Sequence, residues 1–160
     1  MEYNMDSYLI AKTLHIFGVV IFLGNIIVTA VWKILAEHTQ NTIIVAYSQR
    51  LVILTDFIFT ATGATLIYVT GEFFLANHFR EAGNTNWLSW GQALFVLSAL
   101  LWLTVLIPIQ VKQAKLAKAF KDKDVIPNNY RKLSMIWNAV GSIATILPIA
   151  TLYFMVVKPT

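Results

Sequence analysis

The sequence predicts an all-α, four-helix transmembrane bundle with both termini on the outer side of the membrane, and three observations carry that expectation. Hydrophobic residues make up 58% of the 160 and charged ones 12%, against about 25% charged in a typical soluble domain. Four segments approach or exceed the roughly 20 mostly apolar residues that a helix needs to cross the hydrocarbon. Cationic residues crowd into the loops of one side.

The spans follow in order. The first is expected over about residues 8–35, with an uncharged core at 16–32. The second covers 51–75 and carries Asp56 inside it and Glu72 near its end. The third covers 87–112 and the fourth 133–157, and 87–111 and 133–157 are 25 residues each without a charge. None of these runs alternates with the period of two that a β-barrel strand would need. Together they form one transmembrane domain over residues 1–160. Within the basic loop 113–132, lysines interleave with Ala, Leu and Phe, so the third span continues as a helix before Ile126-Pro127-Asn128-Asn129 turns the chain. Residues 39–48 are expected to form a short interfacial helix.

Charge sets the orientation. Lys33, Arg50, Lys112, Lys115, Lys118, Lys121, Lys123, Arg131 and Lys132 lie on one side, and Lys12, Arg80 and Lys158 on the other. The positive-inside rule makes the first side cytoplasmic. Trp87 and Trp90 at the outer start of span three, and Trp32 at the inner end of span one, fit the interfacial preference of indole rings. The net charge of +4 therefore reflects topology and not nucleic-acid binding. Glu2 and Asp6 stand where a cleavable signal peptide would be basic.

Several chemistries are excluded. With no cysteine there is no disulfide, thiolate metal site or Cys nucleophile. No phosphate-binding glycine loop, nucleophile elbow or paired metal-ligand motif occurs, and no catalytic residue stands out. Small residues around Gly63 (Ala61, Thr62, Thr65) and after Gly141 (Ser142, Thr145) suit close helix packing. Pro108 and Pro148 bend their helices or mark interfaces.

Polar groups inside the spans are costly and mark candidate sites. His15 lies in the outer part of span one, with Tyr68, Gln92 and Thr151 at similar depth on the other helices. One reading is a histidine that hydrogen-bonds a neighbouring helix. The other is a metal ligand, axial to a haem, with Met155 as a second ligand nearer the outer edge. His38 and His78 fall in loops on opposite sides, so a bis-histidine haem within one chain is not expected. Counting about 1.5 Å per residue, Asn25, Asp56 and Asn138 share a second level near the cytoplasm, rimmed by Lys33, Arg50 and Arg131. That layer reads either as a structural network, Asp56 pairing with Arg50 or a nearby cation, or as a proton or cation relay, or as an anchor for a ligand's carboxylates.

The runs Leu14-His15-Ile16-Phe17-Gly18, Gly24-Asn25 and Ala30-Val31-Trp32-Lys33, with Tyr130-Arg131-Lys132-Leu133, Trp137-Asn138, Gly141, Ala144-Thr145, Pro148 and Met155-Val156-Val157-Lys158-Pro159, resemble a bacterial family of four-span membrane proteins of unknown function. The resemblance covers nearly the whole chain and implies an inner-membrane location. That family is distantly similar to the CopD-like copper-resistance membrane proteins and the HemJ type of protoporphyrinogen oxidase. In the HemJ type an early histidine is associated with haem b, and the matching position is His15. Phe22 stands where a tryptophan often follows there, so the resemblance implies haem or porphyrin binding before porphyrinogen oxidation.

Three functions follow as expectations. The first is haem b binding at His15, with Tyr68 and Met155 beside it and a redox or haem-handling role; any enzyme activity would be that of a haem-dependent oxidoreductase served by a quinone or other membrane redox partner. The second is a metal-ion or proton transporter or channel component using Asp56. The third is a structural or accessory protein without a cofactor. A homodimer suits all three and would supply a second His15; the lipid bilayer is a partner in each.

Overall fold

The computed structural model describes residues 5–79, 86–123 and 125–159, so Arg80, counted among the outer cations, lies outside the described residues. Four long helices emerge: α1 Met5–His38, α2 Thr42–Asn77, α3 Asn86–Phe120 and α4 Asn128–Val157. The described residues contain no strand, and each helix is long and apolar enough to span a bilayer.

The boundaries have local causes. Gln40 takes a left-handed φ of 52° after α1. Asn41 then caps α2, its side-chain oxygen accepting from the N–H groups of Ile43 at 2.9 Å and Ile44 at 3.2 Å. The expected interfacial helix over 39–48 is therefore not a separate element. Helix begins at Thr42 and runs straight into the second span, because Val45 and Val52 bury against the basic half of the bundle. The Thr42 hydroxyl donates to the carbonyls of Lys121 and Lys123, at 3.2 and 2.8 Å, which ties the two loops of this end together. As expected, α3 runs on through the lysines to Phe120 and α4 starts just after Pro127.

Two helices carry a π turn in mid-span, Asp56–Thr60 in α2 and Trp102–Leu106 in α3. The second immediately precedes Pro108, which has no N–H to continue the ladder. Such turns recur at functional sites.

Packing divides the bundle into two halves. At the end away from the basic loops, α1 lies along Ala61–Phe74 of α2, and Asn86–Leu101 of α3 lies along α4. The two hairpins meet at the basic half, where Thr42–Thr55 of α2 packs on Ile107–Phe120 of α3. The α1–α2 contact is backbone-close: a Cβ on Gly63 would stand 2.8 Å from Phe22 Cβ and 2.9 Å from the Gly18 carbonyl oxygen. The buried apolar core sits toward the basic half, in Val45, Ala117, Phe120, Ile126 and Tyr130 and in Val52, Leu106, Trp137 and Ala144. One cavity opens beside this core and a second toward the other end.

Candidate functional site: two intramembrane cavities

The cavity at the His15 end has a volume of about 610 Å³, within the range of small-molecule sites. His15, Tyr68, Gln92 and Thr151, which depth counting grouped, all line it, and so does Met155, expected nearer the outer edge. Tyr68 does so from its rim, being 55% exposed toward the lipid side. Met155 reaches in because Gly91 has no Cβ to block its methyl group.

The histidine's partner is Thr70. His15 Nδ1 lies 2.8 Å from Thr70 Oγ1, and the Thr70 hydroxyl itself donates to the Leu66 carbonyl at 2.5 Å. A Thr70 hydroxyl that donates to Leu66 can only accept from the ring, and in that arrangement Nδ1 carries the imidazole proton and Nε2 keeps a lone pair. Fixing the tautomer through the other ring nitrogen is how proteins prepare a ligating histidine. Phe74 packs edge-on to the imidazole, 5.9 Å between centroids, and Lys158 Nζ sits 5.2 Å over the ring of Trp87, a lining residue.

The second cavity, about 440 Å³, is lined by Asp56, Thr60, Gln110, Trp102, Trp137 and Asn138 among others. Asp56 is buried on the π turn. Its Oδ1 accepts from Asn25 Nδ2 at 3.1 Å and Thr60 Oγ1 at 3.0 Å, and its Oδ2 from Gln110 Nε2 at 2.7 Å. The Trp102 indole N–H faces the same carboxylate but closes no hydrogen bond. Thr29 completes the network by donating to Asn25 Oδ1 at 3.2 Å. Asn25 and Asp56 thus meet as the depth argument expected. Asn138 shares the cavity wall, yet its Oδ1 has no partner among the described residues.

The expected cationic rim is rearranged. Arg50 is exposed and does not pair with Asp56, because six residues turn a helix through about 240° and place the two on different faces. Arg131 is also exposed and donates to Gln40 Oε1 at 2.6 Å. Lys33 is 1% exposed. It pairs with Glu37, donates to Ser134 Oγ at 3.2 Å, and lies 5.6 and 4.9 Å from the ring centroids of Tyr130 and Trp137. Ser134 in turn donates to Glu37 at 2.5 Å. This cluster clamps α1 to α4. Glu37, Ser134, Tyr130, Gln110 and Thr70 were not singled out from the sequence; the Lys33/Glu37 spacing of four was the available signal. Among the described residues no three His, Cys, Asp or Glu side chains gather into a metal cluster, so a metal here would rest on His15 with non-cluster donors.

Fold and cavities define the class: a four-helix integral membrane protein with polar groups buried between its hairpins. The chain belongs to the family described as predicted integral membrane protein (DUF2269), whose model matches residues 9–159. No curated protein and no solved structure matches it.

Proposed function

We propose that this chain is an inner-membrane haem b protein, with both termini outside and a redox or haem-handling role. The observation that carries the proposal is the Thr70 hydrogen bond, which leaves the Nε2 of His15 as a lone-pair donor in a residue that lines a cavity of about 610 Å³. The residues fit the group. His15 would hold the group through its imidazole, Met155 is the candidate second donor, and the apolar lining from Val19, Leu23, Ile67 and Phe95 would keep a macrocycle away from water. Bound haem would supply one-electron chemistry, and the chain's share is to ligate, orient and exclude solvent. The distant resemblance to the HemJ type, in which the position matching His15 is associated with haem b, points the same way.

The test is the absorption spectrum of purified protein before and after dithionite, beside His15→Ala. A Soret band with reduced α and β bands, lost in the variant, supports the proposal. A colourless wild type produced with ample haem overturns it.

One observation favours a second reading. Asp56 is a buried carboxylate held by three neutral donors, on a π turn and beside a cavity. A carboxylate so placed suits proton or cation passage. Asp56→Asn would then abolish flux in proteoliposomes and leave any haem spectrum intact.

A further inference from the structure

The Asp56 cavity has two properties that haem binding at His15 does not use: access from the bilayer and walls made for a flat ring. Ile27, Val31 and Ile146 line the cavity and are also exposed on the molecule's outer surface, by 45, 52 and 62%. Its mouth therefore lies between α1 and α4, within the hydrocarbon. A ligand entering there is lipid-soluble.

Phe22, Phe95, Trp102 and Trp137 contribute four aromatic side chains to the lining. Aromatic rings stack offset or edge-on against other rings, so these walls suit a planar aromatic headgroup. The polar groups specify its substituents. An ionised carboxylate offers about four acceptor positions. Among the described residues Asp56 Oδ1 accepts from two donors and Oδ2 from Gln110, with the Trp102 indole N–H turned to the same carboxylate but closing no hydrogen bond, so Oδ2 can still take a hydroxyl. In the same wall, among the described residues, Asn138 Oδ1 has no partner, and Trp137, 6% exposed, has an indole N–H without one. Buried polar groups without partners are rare. A ligand that brings both a hydroxyl donor and an oxygen acceptor answers the unfilled capacity.

We infer that this cavity binds a membrane-dissolved quinol, with its ring among the four aromatic side chains, a hydroxyl toward Asp56, and its apolar tail left between α1 and α4. Phe22 and Phe95 line the His15 cavity as well, with centroids 5.8 Å apart. One aromatic layer therefore separates the quinol ring from the histidine cavity. The inference rests on the haem reading only for its purpose, since it names a redox partner. Binding itself requires no haem.

Two glycines give selective plugs. Gly141 lines the Asp56 cavity, and a Cβ there meets only Trp137 Cε3, at 4.0 Å. Gly71 lines the His15 cavity, and a Cβ there meets nothing within 4 Å. The experiment measures saturable binding of a short-tailed benzoquinol to the full chain in nanodiscs, with empty nanodiscs as the partition baseline. All variants carry His15→Ala, so the result does not depend on haem. Binding above baseline is expected in His15→Ala and unchanged on adding Gly71→Leu. It is expected to weaken about tenfold or more on adding Gly141→Leu, and about tenfold for the dimethyl ether of the same quinol, which lacks the donors. Binding no greater than to empty nanodiscs overturns the inference. So does equal affinity for quinol and ether, which is read on a protein with an unaltered Asp56 cavity, or an unchanged affinity in a folded Gly141→Leu variant.

Discussion

The hydroxyl of Ser98 donates to the carbonyl of Ala144 at 2.7 Å. That carbonyl is the one four residues before Pro148, which has no N–H to offer it. A side chain of α3 thus fills the vacancy that a proline opens in α4, and the two helices are joined where the bilayer cannot hydrate the backbone.

Removing that hydroxyl exposes the vacancy. Ser98→Ala is expected to destabilise the bundle by about 1–2 kcal/mol, measured by denaturant titration in mixed micelles. In a Pro148→Ala background the same substitution should cost close to nothing, because a backbone N–H at that position restores the helical donor. A double-mutant cycle reads the coupling.

The α1–α2 contact depends on a missing side chain. Gly63→Ala places a methyl 2.8 Å from Phe22 Cβ and 2.9 Å from the Gly18 carbonyl. The expected loss is about 1–3 kcal/mol, again by denaturant titration. Gly24→Ala, where a Cβ meets nothing within 4 Å, should leave stability unchanged or slightly raised.

Lys33 and Glu37 form the clamp at the basic end. Lys33→Ala leaves Glu37, Ser134 and Tyr130 without the cation they surround, and about 3–5 kcal/mol is expected to be lost. The double substitution Lys33→Met/Glu37→Gln should recover much of this. Arg131→Ala, at an exposed residue, should cost less than about 1 kcal/mol. Thermal unfolding of the four proteins in one detergent orders them.

Thr70 acts through the histidine. Thr70→Val removes the acceptor of the His15 Nδ1 proton and frees the ring to adopt either tautomer. Haem affinity is expected to fall about 10–100-fold with the axial ligand still in place. The variant's spectrum at saturating haem should resemble that of the wild type, which separates a positioning role from ligation.

The sequence made some of this legible and not the rest, for a physical reason. Hydropathy fixes which residues lie in the bilayer, so the four spans follow from composition. Counting along helices then gives depth, which brought His15, Tyr68, Gln92 and Thr151 to one level, Met155 nearer the edge, and Asn25, Asp56 and Asn138 to another. Depth does not give azimuth. Arg50 sits at a plausible depth for Asp56 but on another face, and Thr70, not Tyr68, is turned toward His15. The Lys33 cluster was hidden for a further reason. Glu37 lies past the apolar run of span one, where it reads as a loop flank, yet α1 continues to His38 and carries it against α4. Gln110 stands near the inner end of span three, and only the packing of the α3 extension on α2 turns it toward Asp56.

Haem binding in the cavity that holds His15 is read by titrating haem into haem-free protein in nanodiscs. The wild type and Gly141→Leu should develop a Soret band that saturates at one haem per chain. Gly71→Leu, which fills the His15 cavity, should bind at least about tenfold more weakly, the loss expected when a side chain occupies part of a pocket. A wild type that gains no more absorbance than empty nanodiscs, or a folded Gly71→Leu that titrates as the wild type does, would contradict haem binding in that cavity.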